Sequence, residues 1–129
     1  MGSEMYPLFE RTFMDDQTTM MALKKQVSRF RDERNWLKDD TPKNLAISIS
    51  VEAAELLEHF QWKTDQQIRE LVKDSVKKNQ VSDELADVLI YCLGFSDVLD
   101  IDISEAIERK LRKNAEKYPV MKIPLTAGF

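Results

Sequence analysis

Glu52 and Glu55 stand three residues apart, as do Glu84 and Asp87, and 28 residues separate the two pairs. Residues at that spacing are neighbours on a helix surface, and both pairs sit in segments that otherwise read as apolar helices. Two such helices packed face to face bring four carboxylates to one place. Each close pair of anions repels by about 4 kcal/mol at a moderate effective dielectric, so the four stay ionised together only with cations between them. An all-oxygen donor set suits a hard ion, Mg²⁺ or, in its place, Mn²⁺. This points to metal-dependent chemistry on phosphate. The competing reading is two solvated helix faces in a chain that holds 23 acids, and E-x-x-E and E-x-x-D are common in helices. The apolar residues around both pairs favour the metal site.

Other residues could complete such a site. Trp36 and Trp62 are the only tryptophans; an indole stacks on a nucleobase, although a half-buried tryptophan at a helix end is the commoner case. Lys110, Asn114 and Tyr118 recur at i, i+4 and i+8, a stripe that could meet a phosphate, a sugar hydroxyl and a base, or simply face water. Tyr91 shares the stripe of Glu84 and Asp87. His59, the only histidine, lies at the edge of the acidic stripe and reads as a partner of an acid. A single histidine also weighs against a di-iron carboxylate bundle, which needs two E-x-x-H pairs. There is neither a G-x-S-x-G sequence nor a Gly-rich phosphate loop.

The elements that must hold these residues are helical. From Thr18 to about Leu37, Met20, Leu23, Val27 and Phe30 recur at helical spacing, and Lys38-Asp39-Asp40 breaks the pattern. Thr41-Pro42 opens the next helix, about 42–61, with a capping hydroxyl and a proline at the first position. On its wheel Ser48, Glu52, Glu55, His59 and Trp62 form one narrow stripe. Ile49, Ala53, Leu56, Leu57 and Phe60 fill the opposite side, with Ile47 and Val51 on a flank. Such a helix is expected to be buried nearly all round. A polar helical connection spans 65–78, a fourth helix about 81–99, and a last one about 103–117, opened by Asp102-x-x-Glu105 and closed by Tyr118-Pro119. Gly94 in mid-helix suggests close packing there. With no convincing strand pattern, the fold is expected to be an all-α bundle.

At 129 residues the chain is one domain by length. The expected organisation is an N-terminal tail over 1–16, a helical domain over 17–119 and a C-terminal arm over 120–129. Met1-Gly2-Ser3 is of a kind left by cloning, while Tyr6, Leu8, Phe9, Phe13 and Met14 are apolar enough to dock. A net charge of −4 gives no electrostatic reason to expect nucleic-acid binding. Cys92, the lone cysteine, is expected in the core. No segment has the apolar length of a membrane span and no leader pattern is visible, so the expected location is the cytoplasm.

Three ordered segments carry a family resemblance: Arg31-Asp32-Glu33-Arg34-Asn35-Trp36, Thr41-Pro42-Lys43-Asn44-Leu45, and Val51 to Trp62 (VEAAELLEHFQW). With Glu84-Leu85-Ala86-Asp87, Tyr91, Lys110, Asn114 and Tyr118-Pro119 following, the chain resembles the MazG-type nucleotide pyrophosphohydrolases over about residues 22–119. Within them it is most similar to the short dCTP-pyrophosphatase-like branch. The resemblance implies four or five helices assembled as a homotetramer, a dimer of dimers. It implies cleavage of a nucleoside triphosphate, usually a deoxynucleotide and here dCTP or a related or non-standard one, to monophosphate and pyrophosphate. It also implies Mg²⁺ on Glu52, Glu55, Glu84 and Asp87; Trp36, Trp62, Tyr91, Asn114 and Tyr118 on base and sugar; and Lys110 on phosphate. The chain departs from the pattern at Val51, where longer members have an acid, and at Asp40, where relatives often have histidine. Two alternatives stand beside this: a dUTP-preferring hydrolase, and a non-catalytic helical oligomer that binds nucleotide or cation.

Overall fold

Thr41 accepts a hydrogen bond from the Asn44 backbone N–H (3.2 Å) and Pro42 occupies the first turn, so α2 begins where the sequence predicts and runs Pro42–Glu58. It is one of five helices in a computed structural model that describes residues 12–121. The others are α1 (Met20–Glu33), α3 (Asp65–Leu71), α4 (Ser75–Val98) and α5 (Ile103–Lys117), with a single 3₁₀ turn at Leu37–Asp39. There is no strand among the described residues, so the chain is all-helical. Residues 1–11 of the expected tail, with Tyr6, Leu8 and Phe9, and residues 122–129 of the expected arm lie outside the described residues.

α2 packs along α4, and α1 lies against α4 on another side. The small core sits where the three meet: Leu45 is fully buried, and Leu93, Gly94 and Ser96 of α4 are buried beside it. Lys24 of α1 donates to the Ile101 carbonyl and ties α1 to the α4–α5 turn. α3 and α5 are peripheral. Asp102 caps α5 by accepting from the Glu105 N–H (2.9 Å), as its spacing predicts.

Besides α2, which stops at Glu58 rather than near residue 61, two helix boundaries differ from expectation. α1 ends at Glu33 rather than near Leu37, because Asn35 adopts a left-handed conformation (φ 58°). The Asn35 N–H donates to the Asp32 carbonyl (2.9 Å) and the Trp36 N–H reaches back to Arg31 (3.0 Å). This 6→1 and 5→2 pair closes the helix, and asparagine tolerates the turn better than most residues. α4 ends the same way, with Asp100 at φ 53° and the Ile101 N–H bonded to Ser96 (2.8 Å). The second difference is that the polar segment 65–78 is not one helix. α3 stops at Leu71 and Asp74 starts α4 by accepting from the Val76 and Lys77 N–H groups, so α4 is 24 residues long.

Three packing expectations also change. α2 is not buried all round: Ile47, Val51 and Leu57 are about half exposed, the last at 56%. A single chain offers α2 only α4 and α1 to lie against, and the side it turns inward carries the acids. Gly94 is buried, yet an added Cβ would sit 3.9 Å from Leu45 Cδ2, an ordinary contact, so close approach does not require glycine there. Cys92 is half-buried rather than a core residue, and burial pushes its thiol up from the usual range. No described helix is long and apolar enough to cross a membrane.

Candidate active site

The α2–α4 packing turns the two acidic stripes toward each other. Carboxylate oxygens of Glu52, Glu55 and Glu84 all lie within 4.8 Å of one another, and all three side chains are half-buried. Asp87, one turn along α4, is outside that tightest group, but its charge still acts on Glu52 and Glu84. Glu52 Oε2 and Glu84 Oε2 are buried with no hydrogen-bond partner among the described residues. A buried acceptor without a donor is costly, and an anionic one more so.

The electrostatics agree with the geometry. Loss of solvent, the neighbouring Glu55, and the charges of Asp87 and Glu84 push the Glu52 carboxyl up to about 7 from 4.5. Glu84 is pushed up as well, first by loss of solvent and then by Glu55 and Asp87, while the nearby His59 pulls it down. Without a cation, the cluster relieves its repulsion by taking up protons. The donor set is all carboxylate oxygen, two of its oxygens are orphaned among the described residues, and a hard divalent ion fits both facts. His59 is the C-cap of α2, and no hydrogen bond or ion pair joins it to an acid among the described residues.

A second, mostly apolar cavity of about 460 Å³ opens beside the acids, with Asp87 in its wall. Trp36 and Tyr91 line it, and so does Phe13 from the described part of the tail. The turn that ends α1 folds Trp36 back against Phe30, with edge-to-face rings 5.9 Å apart. Between the aromatic walls lies the guanidinium of Arg31, 5.5 Å from the Trp36 ring and 5.3 Å from the Tyr91 ring. Asp40 holds it through two hydrogen bonds, and both residues are buried. The 3₁₀ turn at Leu37–Asp39 reverses the chain so that Asp40 reaches Arg31.

Comparison with known proteins shows the family to which the chain belongs. Residues 47–123 match the model of the MazG-like family. The chain belongs to the MazG-like family. It is 30% identical to mouse dCTP pyrophosphatase 1 over 104 residues, 81% of this chain and 61% of the relative. The human dCTP pyrophosphatase 1 is similar, at 30% over 103 residues, 80% of this chain and 61% of the relative. The chain thus spans about 61% of the length of these relatives. A solved pyrophosphatase from Archaeoglobus fulgidus DSM 4304 superposes with a TM-score of 0.74 and 45% identity, covering 84% of this chain and all of that one.

Not every MazG-like residue expected at the site converges within one chain. Glu52, Glu55, Glu84 and Asp87 share the α2–α4 cleft, and Trp36 and Tyr91 share the cavity beside it. Trp62 is 87% exposed and lines a different groove, with Gln66, Glu70 and Lys77. Lys110 and Tyr118 are exposed on α5, Asn114 is half-buried, and none of the three lines the cavity. Arg31 and Asp40 were not expected as a buried pair. The available signal was position: Arg31 falls four residues after Val27 and eight after Leu23, a charge in register with the apolar stripe of α1.

Proposed function

We propose that this chain hydrolyses deoxynucleoside triphosphates between the α- and β-phosphates, releasing monophosphate and pyrophosphate, with dCTP or a related nucleotide as substrate. The observation that carries the reading is the set of converging, partly orphaned carboxylates on α2 and α4, opening onto an aromatic-walled cavity. The relatives named as dCTP pyrophosphatases support it. Glu52, Glu55, Glu84 and Asp87 would hold Mg²⁺. That ion, when bound, supplies charge neutralisation of the triphosphate and lowers the pKa of an attacking water.

The chain's own groups do the rest. Glu55, beside Glu52 and Glu84, takes the proton of the water on a carboxylate oxygen not engaged with the ion, as the water oxygen attacks the α-phosphorus. The bond from that phosphorus to the bridging oxygen breaks, and pyrophosphate leaves. Trp36 and Tyr91 hold the nucleoside in the cavity beside Asp87, so the triphosphate lies across the acids. Lys110 would balance charge on the departing phosphates.

Lys110, Asn114, Tyr118 and Trp62 reach such a substrate only if a second copy brings them in. Assembly as a dimer of dimers is supported by uncovered apolar residues on three helices: Val51 and Leu57 on α2, Leu85 and Leu89 on α4, Ile107 and Leu111 on α5. Incubation with a panel of canonical and modified deoxynucleoside triphosphates, with Mg²⁺ or with chelator, tests the reading. Monophosphate plus pyrophosphate, in metal only, is the expected product pair; nucleoside diphosphate plus phosphate, or no turnover, contradicts it.

A further inference from the structure

Gln26 is a polar side chain of the aromatic cavity that the proposed chemistry leaves without a task. It lies on α1 in the wall that also holds Leu23, Val27 and Phe30, and it faces the same space as Trp36 and Tyr91. Its side-chain oxygen Oε1 is buried and has no hydrogen-bond donor among the described residues. Arg31 lines the same cavity, but its guanidinium bonds to Asp40 through Nε and Nη2 and makes no hydrogen bond to Gln26 among the described residues. A buried carbonyl oxygen with no donor costs free energy. Where such a group lines a ligand cavity, the missing donor is expected on the ligand.

We propose that Gln26 is a specificity-determining residue, reading the edge of the nucleobase by accepting a hydrogen bond from an exocyclic amine. This rests on the aromatic cavity being the base pocket of the proposed reaction. At the exocyclic position a pyrimidine carries either an amine or a carbonyl. The amine donates to Gln26 Oε1 as the amide stands, whereas a carbonyl meets an acceptor there unless the amide turns over to offer Nε2. The ring N–H of a uracil is flanked by two carbonyls, which the apolar walls at Leu23, Val27 and Phe30 cannot satisfy. The same contrast separates adenine from hypoxanthine if the cavity takes a purine. Arg31, pinned by Asp40, is then a positioning residue that keeps Trp36 and Tyr91 apart at the back of the pocket.

The test is calorimetric binding of α,β-imido-dCTP and α,β-imido-dUTP to the full chain in Mg²⁺, which needs no turnover. Wild type is expected to favour the cytosine analogue by about tenfold or more. Gln26→Met keeps the side-chain length and removes the acceptor, and it is expected to bring the two affinities within about threefold of each other. Because it deletes an unpaired buried acceptor, it is also expected to leave Tm equal to or above wild type. Gln26→Glu, which keeps an acceptor, is expected to retain the preference. An unchanged ratio in Gln26→Met, no preference in wild type, or binding of neither analogue would each overturn the proposal. Absence of turnover with normal binding discrimination would instead count against the proposed chemistry and leave the base reading standing.

Discussion

Two groups of charges lie close together in this molecule, and they are solved in opposite ways. Arg31 and Asp40 are opposite in sign, bonded through two hydrogen bonds and buried between aromatic rings, so the chain satisfies them by itself. Glu52, Glu55, Glu84 and Asp87 are alike in sign, and two of their oxygens have no partner among the described residues. The first group is finished structure. The second is complete only when something from outside the chain joins it. The contrast separates a pair that positions a pocket from a cluster that acts on what the pocket holds.

Breaking the second group should cost most in activity and least in fold. Glu55→Gln is expected to lower kcat by about 10²–10⁴-fold, the range for loss of a general base, with an unchanged far-UV circular dichroism spectrum. Near-wild-type turnover would remove Glu55 from its role. Breaking the first group should do the reverse. Asp40→Ala strands a buried guanidinium and is expected to cost about 3–5 kcal/mol in urea unfolding. A loss under 1 kcal/mol would mean that water reaches Arg31 in place of Asp40.

The contrast extends to pH. Folding without metal raises Glu52 to about 7 from 4.5, so its contribution to stability is present below about 4.5 and lost as pH rises to about 7. Metal-free protein should therefore show a Tm that falls over that window, and Mg²⁺ should flatten the fall. Glu52→Gln should raise the metal-free Tm at neutral pH. A flat metal-free profile would mean the four acids are not crowded in solution. The smallest expected effect lies outside both groups. Gly94→Ala has room beside Leu45 and should stabilise by about 0.4–1 kcal/mol without changing activity.

What could be read in the sequence was whatever one helix states locally. The spacing of Glu52 and Glu55, and of Glu84 and Asp87, predicts shared faces, and Thr41-Pro42 and Asp102-x-x-Glu105 predict helix starts that the structure shows. What depended on distant residues was not legible. Asn35 ends α1 by taking a conformation that its type permits but does not demand. Asp40 looked like part of a helix break, and only the reversal at Leu37–Asp39 makes it the partner of a residue nine positions earlier. The apolar composition of α2 was read as burial within the chain. About half of that surface at Val51 and Leu57 faces outward, because the inward side is given to the acids. Trp62 belongs to the same lesson: its register on α2 is right for the acidic stripe, but α2 ends at Glu58, before that register applies.

The central claim is that the four carboxylates form one cation site. Mn²⁺ binding, followed by electron paramagnetic resonance on metal-free wild type and on Glu52→Gln/Glu84→Gln, tests it most directly. The account predicts saturable binding by wild type, competed by Mg²⁺, and loss of that binding in the double variant. Equal binding by both proteins would contradict it.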